Sequence, residues 1–213
     1  MRYATAIATE GEAARNEDRA AVMELDSACV IVVADGAGGL SGGDIAADAT
    51  VQFVRDCVMR NGAVTEPAYW CQALTELDES LSADAAAGEC TAVVAVVDQA
   101  GVRGASVGDS GALMFADSEF DDLTGTQQRK PLCGSGLATP TPFGPTPLRG
   151  TLVMASDGLF KYAKLSDILR VVSALDVEEV ARALVDSARL PSGKLQDDIV
   201  VVVCRGAEQG QCT

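Results

Sequence analysis

Two segments of this chain, Val30-Ile31-Val32-Val33-Ala34 and Ala92-Val93-Val94-Ala95-Val96-Val97, are apolar at every position and rich in β-branched residues. A strand that is apolar on both faces must be covered on both, by a second sheet or by helices. Similar runs bounded by Gly or Asp mark strands at about 2–9, 19–25, 28–34, 91–98, 102–108, 111–116, 151–156 and 198–204. Between them, 42–60 and 66–86 carry apolar residues at helical spacing, for example Ile45, Ala49 and Phe53. Ser166 and Asp176 are placed to cap two further helices, 167–174 and 177–189, the second with Val177, Val180, Ala181, Leu184 and Val185 on one stripe. Residues 117–150 hold five of the seven prolines, which predicts a long irregular, flap-like loop of the kind often found at active sites. No repeat or internal boundary divides the chain, so residues 1–213 are expected to form a single domain.

Composition removes whole classes of chemistry. The chain has no histidine, which excludes His-ligated zinc, Ser-His-Asp triads and Cys-His dyads together. Its seven cysteines are scattered, with no C-x-x-C pair, and are expected to be free thiols in a reducing compartment. With 31 acidic against 16 basic residues the formal charge is −15, which opposes nucleic acid and anionic membrane partners. No apolar run approaches the roughly 20 residues that span a bilayer, and no secretion signal is visible, so a cytoplasmic location is expected.

Catalysis is therefore left to carboxylates, metals, water, Lys, Cys or Ser, and the carboxylates are arranged in a pattern. Asp35, Asp109 and Asp157 each follow an apolar run, whereas Glu17-Asp18 and Asp197-Asp198 each precede one. In an antiparallel sheet the end of one strand lies beside the start of its neighbour, so these five points can share one rim. If Asp26-Ser27 forms a two-residue turn, Leu25 pairs with Ala28 and Asp18 faces Asp35. Crowded carboxylates repel and take up protons unless cations neutralise them. An all-oxygen donor set without His or Cys points to a hard ion, Mg²⁺ or Mn²⁺. Taken singly, each acid is more often the ordinary punctuation of a turn than a catalytic group; the combination of five carries the inference. Asp35-Gly36-Ala37-Gly38-Gly39 lacks the Lys-Ser/Thr ending of a P-loop.

The ordered set Asn16-Glu17-Asp18, Val33-Ala34-Asp35-Gly36-Ala37-Gly38-Gly39, Thr91-Ala92-Val93, Gly108-Asp109-Ser110, Ala155-Ser156-Asp157-Gly158 and Asp197-Asp198-Ile199 resembles the metal-dependent Ser/Thr protein phosphatases of type 2C, the PPM group, in its compact bacterial form. The resemblance runs through nearly the whole chain and implies an α+β fold, a four-layer α-β-β-α sandwich of two mainly antiparallel sheets flanked by helices. It also implies two Mn²⁺ or Mg²⁺ ions, with a weaker third. Asp35 would bridge the two main ions with the Gly36 carbonyl as a further ligand; Asp157 and Asp197 would hold the first ion and Glu17 the second. Asp109 matches a third-metal acid, and Asp18 is either an acid standing behind the ligands or a turn residue. The implied reaction is hydrolysis of phosphoserine and phosphothreonine in proteins by a water activated between the ions, with Asp35, Asp157 and Asp197 as the catalytic acids. The implied setting is a monomeric signalling enzyme whose partner is a phosphorylated protein and which opposes a Ser/Thr kinase. A phosphatase of a small phosphorylated metabolite and a catalytically weak regulatory module are the alternatives, the second disfavoured by the intact acids.

Three departures from the family pattern bear on the substrate. The position of the family's phosphate-gripping Arg is Ala13, and Arg15 lies two residues closer, on the same face of an extended segment; it either substitutes or is a solvated surface side chain. Lys161 stands where the family often has Asp, which either weakens a third metal site or puts a cation near the phosphate. Where some members carry a His after Asp-Gly, this chain has Ala37. Arg129 and Lys130, in the flap-like stretch, are either contacts to a phosphopeptide or a solvated pair.

Overall fold

The structure is a computed structural model and describes residues 3–12, 15–37, 41–117 and 119–206. Its strands are β1 (Tyr3–Glu10), β2 (Arg19–Glu24), β3 (Cys29–Ala34), β4 (Ala92–Asp98), β5 (Gly101–Val107), β6 (Gly111–Ala116), β7 (Glu119–Asp122), β8 (Thr141–Thr146), β9 (Thr151–Ala155) and β10 (Ile199–Gly206). Its helices are α1 (Gly43–Asn61), α2 (Pro67–Ala83), α3 (Asp157–Tyr162), α4 (Leu165–Ala174) and α5 (Val177–Ser187). The strands make two five-stranded sheets, β1-β10-β9-β6-β7 and β2-β3-β4-β5-β8, with every pairing antiparallel.

The doubly apolar strands explain the layering. In β3, Cys29, Ile31 and Val33 point into a core between the sheets, where they meet Met154 of β9 and Val200 and Val202 of β10. The alternate residues Val30, Val32 and Ala34 point the other way, onto α1 and α2 through Val54, Trp70, Leu74 and Leu77. The second sheet does the same: Val153 of β9 and Val201 and Val203 of β10 face Leu159, Val180 and Leu184 of α3 and α5. The result is the four-layer α-β-β-α order. The β2–β3 hairpin has the register its turn dictates: Leu25 N–H donates to the Ala28 carbonyl at 2.9 Å, and Arg19 pairs with Ala34.

The stretch 117–150 is not irregular throughout. It contains β7 and β8, and both are edge strands. β7 is four exposed residues, Glu-Phe-Asp-Asp, too short and polar to show an apolar period. β8 contains Pro142 and Pro145, residues that cannot donate to a ladder and that an edge strand tolerates. Helix α3 escapes notice because it is six residues long and starts at Asp157-Gly158. α4 begins earlier than Ser166 would allow, with Lys164 at its N-cap, while α5 does start after Asp176. No helix among the described residues is long and apolar enough to cross a membrane. Six of the cysteines are free thiols, five of them buried; Cys212 lies outside the described residues.

Candidate active site

The ends of β3, β5 and β9 and the starts of β2 and β10 meet along one rim, around a cavity of about 240 Å³. Glu17, Asp18, Asp35, Gly36, Asp109, Asp157 and Asp197 all line it, together with Asp198, Thr91, Lys130 and Lys161. The backbone is tightly built at this point. A Cβ on Gly36 would come within 2.5 Å of the Gly43 carbonyl carbon, so only glycine lets the Asp35-Gly36 turn pack against the start of α1. Hydroxyls pin the turn from behind. The Asp35 N–H donates to Thr91 Oγ1 at 3.0 Å, the Thr91 N–H donates back to the Asp35 carbonyl at 2.8 Å, and Thr91 Oγ1 lies 2.6 Å from Ser110 Oγ.

The cavity carries more negative charge than the protein neutralises. Asp35 is pushed up to about 9, first by burial and then by the charges of Asp18, Asp157, Asp197 and Asp109. Asp18, only 3% exposed, is pushed up to about 7, chiefly by burial. The nearby Ser156 hydroxyl and Asp35 carboxyl hold it back, while the charges of Asp198 and Asp197 add to the rise. Asp157 is raised by burial, with Lys161 opposing. Lys161 lies in an ion pair with Asp157 and 3.7 Å from Asp197 Oδ2. Burial works against its charge, but Asp157, Asp197 and Asp109 outweigh that and raise its pKa.

A divalent cation fits the chemistry of this donor set. Glu17 Oε2 and Asp18 Oδ2 are buried without a hydrogen-bond partner, and such oxygens are costly unless something positive reaches them. Every donor is a carboxylate or carbonyl oxygen, the ligand type of Mg²⁺ and Mn²⁺. Among the described residues no three of these side chains stand close enough together to hold an ion without moving. A tethered ammonium, that of Lys161, reaches in between Asp157 and Asp197.

Arg15 is not part of this lining. Its guanidinium is paired with Asp44 in the first turn of α1, with Nε 3.0 Å from Oδ2, and the side chain is 65% exposed. A carboxylate at a helix start, 29 residues on, takes the cation that sequence spacing offered to the phosphate. The cations that do line the cavity are Lys130 and Lys161. Arg129 instead pairs with Asp109, its Nη2 2.7 Å from Oδ2. The predicted Ala13 position lies outside the described residues.

Asp198 has a role that the sequence did not disclose. Its Oδ1 accepts the Glu12 N–H at 2.8 Å and its Oδ2 accepts the Glu17 N–H at 2.6 Å, so it ties the β1–β2 connection, and with it Glu17, to the start of β10. The signal was the doubled acid Asp197-Asp198: in extended backbone, neighbouring side chains point to opposite sides, and two adjacent acids are seldom equivalent.

A family model, protein phosphatase 2C, matches residues 8–131, more than half of the chain. No curated protein sequence matches it. Among solved structures, the serine/threonine phosphatase Stp1 of Staphylococcus aureus superposes with a TM-score of 0.78 at 18% identity, covering 97% of this chain and 96% of its own. PppA of Pseudomonas aeruginosa, described as a regulatory component of the type VI secretion system, gives 0.78 at 21% identity over 96% and 98%. The phosphatase MsPP of Mycobacterium smegmatis, solved with cacodylate, gives 0.75 at 22% identity over 95% and 97%. At these identities the likeness shows the four-layer fold.

Proposed function

The chain belongs to the protein phosphatase 2C family, and we propose that it is a metal-dependent serine/threonine phosphatase whose active site is the acidic cavity at the shared rim. The observation that carries this is the meeting of Asp35, Asp157, Asp197 and Glu17 around one cavity whose excess negative charge the protein leaves largely unmet. Asp35, Asp157, Asp197 and Glu17, with the Gly36 carbonyl, are the groups that would hold two Mn²⁺ or Mg²⁺ ions, and Asp109 a weaker third. Such ions, when bound, supply the positive charge that acidifies a water and offsets charge on the phosphoryl oxygens.

The protein's own residues set the stage for that chemistry. Asp18 lines the cavity beside Asp35 and is almost fully buried, so its carboxyl adds to the charge that a bound cation would offset. Asp198 fixes Glu17 through its backbone N–H. Lys130 and Lys161 line the cavity as counter-charges for an incoming phosphate monoester, the task for which Arg15 is not positioned. In the reaction a water oxygen bonds to phosphorus in line with the ester, the phosphorus–oxygen bond to the Ser or Thr side chain breaks, and that oxygen takes up a proton. The attacking water carries the proton that this oxygen takes, and no histidine is present to relay it. No covalent phosphoenzyme is required.

The substrate class is a phosphorylated protein, in opposition to a Ser/Thr kinase. The test is turnover of a phosphothreonine peptide by purified protein with and without Mn²⁺, for wild type and Asp35→Asn. Mn²⁺-dependent release of phosphate by wild type only is the expected result; full activity in Asp35→Asn would remove Asp35 from the site.

A further inference from the structure

Beside the carboxylate cavity lies a second, larger depression of about 450 Å³, within the range of small-ligand sites. The two are continuous: Asp109, Asp157 and Lys161 line both. Away from that junction one wall, formed by β6, β7, α3 and α4, is apolar, and Asp122, Thr124, Gln127 and Arg129 form the other. Leu113 of β6, Ala163, and Ile168 of α4 are buried, and Phe160 of α3 lies with them. Phe120 of β7 and Leu165 at the start of α4 are 40% and 41% exposed. They are two of the eight large apolar side chains exposed among the described residues, and both line this one groove. Phe120 is also preset: β7 pairs with β6, and the ring stacks on Phe115 with centroids 6.0 Å apart.

The charged groups of the groove are already engaged. Asp109 is paired with Arg129 and Asp157 with Lys161, while Asp122 accepts from the Thr124 N–H at 3.0 Å and from Thr124 Oγ1 at 3.1 Å. Arg129 and Lys161 are matched by Asp109 and Asp157, but Asp122 keeps its charge because hydrogen bonds from Thr124 do not neutralise it, so a basic side chain is the occupant that competes with an apolar one. The net charge of −15 further disfavours an acidic one. What the groove offers beside the cavity assigned to the phosphate is chiefly apolar surface, with the buried and unpartnered Gln127 Oε1 as an acceptor at its edge.

We propose that this groove is a specificity pocket that takes a large apolar side chain, of leucine or phenylalanine type, lying within a few residues of the phosphorylated residue in a protein substrate. The proposal rests on the acidic cavity being the phosphatase site. It makes β7, the short edge strand hidden in the flap-like stretch, a wall of the substrate site.

The test uses the full chain with Mn²⁺ and a set of phosphothreonine peptides in which Leu, Phe, Ala, Lys or Asp is placed in turn at each of the flanking positions. At one position or more, Leu and Phe should exceed Ala by roughly tenfold in kcat/KM, the scale of an apolar pocket contact, with Asp below Ala. In Phe120→Ser and in Leu165→Ser the Leu-to-Ala ratio, measured within each variant, should fall toward one; both side chains are exposed, so the fold should tolerate the changes. In parallel, fluorescence anisotropy reads binding of the same peptides to each variant without turnover. A flat profile in both assays, or a preference that neither variant alters, overturns the pocket. Absence of hydrolysis together with an intact Leu preference in binding overturns the catalytic reading alone. A concentration-dependent dimer in sedimentation, broken by Leu165→Lys, would make the groove an interface between copies and overturn the substrate role.

Discussion

The replacement Asp35→Asn should make the metal-free protein more stable while removing its response to metal. Asp35 rises from 3.8 to about 9 in the folded protein, so between these values the folded state holds a proton that the unfolded state has released. Stability changes with pH as the protons bound by the unfolded state minus those bound by the folded state. Here that difference is negative, and metal-free wild type loses stability as pH rises from about 4 to about 9. At about 1.4 kcal/mol per unit, the span up to pH 8 sets an upper bound of roughly 5–6 kcal/mol. Solvent entry and relaxation of the crowded acids offset part of this, and we expect about 2–4 kcal/mol, a sizeable share of the total for a domain. An uncharged amide escapes the cost. Thermal melting in chelator at pH 8 should therefore place Asp35→Asn about 5–15 °C above wild type, with the gap closing toward pH 5. Millimolar Mn²⁺ should reverse the order, because ions that bind only the folded state stabilise only the chain that can hold them. If Asp35→Asn melts at or below wild type in chelator at pH 8, the cavity is not charge-strained and the argument for a cation there loses its main support.

Lys161→Met removes the ammonium from between Asp157 and Asp197; Mn²⁺ binding by calorimetry should tighten about fivefold, roughly 1 kcal/mol after solvent screening of this half-exposed side chain, and unchanged affinity would mean that Lys161 does not compete. Asp198→Ala frees the Glu12 and Glu17 N–H groups, and Mn²⁺ affinity should fall about tenfold, as when the support of a ligand is lost; a change in urea midpoint without a change in affinity would confine Asp198 to folding. Asp78, buried in α2, accepts the N–H groups of Gly134, Gly136 and Ala138 at 2.7, 3.0 and 2.9 Å. Asp78→Ala should cost about 3 kcal/mol in urea unfolding and open the 132–138 segment to proteolysis, with Asp78→Asn between it and wild type.

Much of the site was legible because it depends on rules that act over short distances. Strand ends follow from apolar runs, and a two-residue turn sets a register, so Asp18 opposite Asp35 required only the hairpin. Bringing Asp157 and Asp197 to the same rim required only that β9 and β10 be antiparallel neighbours, with Val201 paired to Ala155. The acids could be placed without knowing the packing of the sheets, because their positions are tied to backbone pairing.

What tertiary structure alone decided concerns the choice of partner for side chains that had several. Arg15 went to Asp44 across 29 residues, and Lys161 to Asp157 and Asp197; nothing in spacing ranks these pairings above a bound phosphate. β7 and β8 form because β6 and β5 offer them an unpaired edge, not because their own residues favour strand. The groove lined by Leu113, Phe120, Phe160 and Leu165 comes from four separate elements and has no period to announce it. The sequence by itself determined where negative charge must accumulate, since apolar strands can be covered in few ways and the acids sit at their ends. Which cations meet that charge, and what surface lies beside it, depends on long flexible side chains and edge strands whose energies differ by little until the whole fold is assembled.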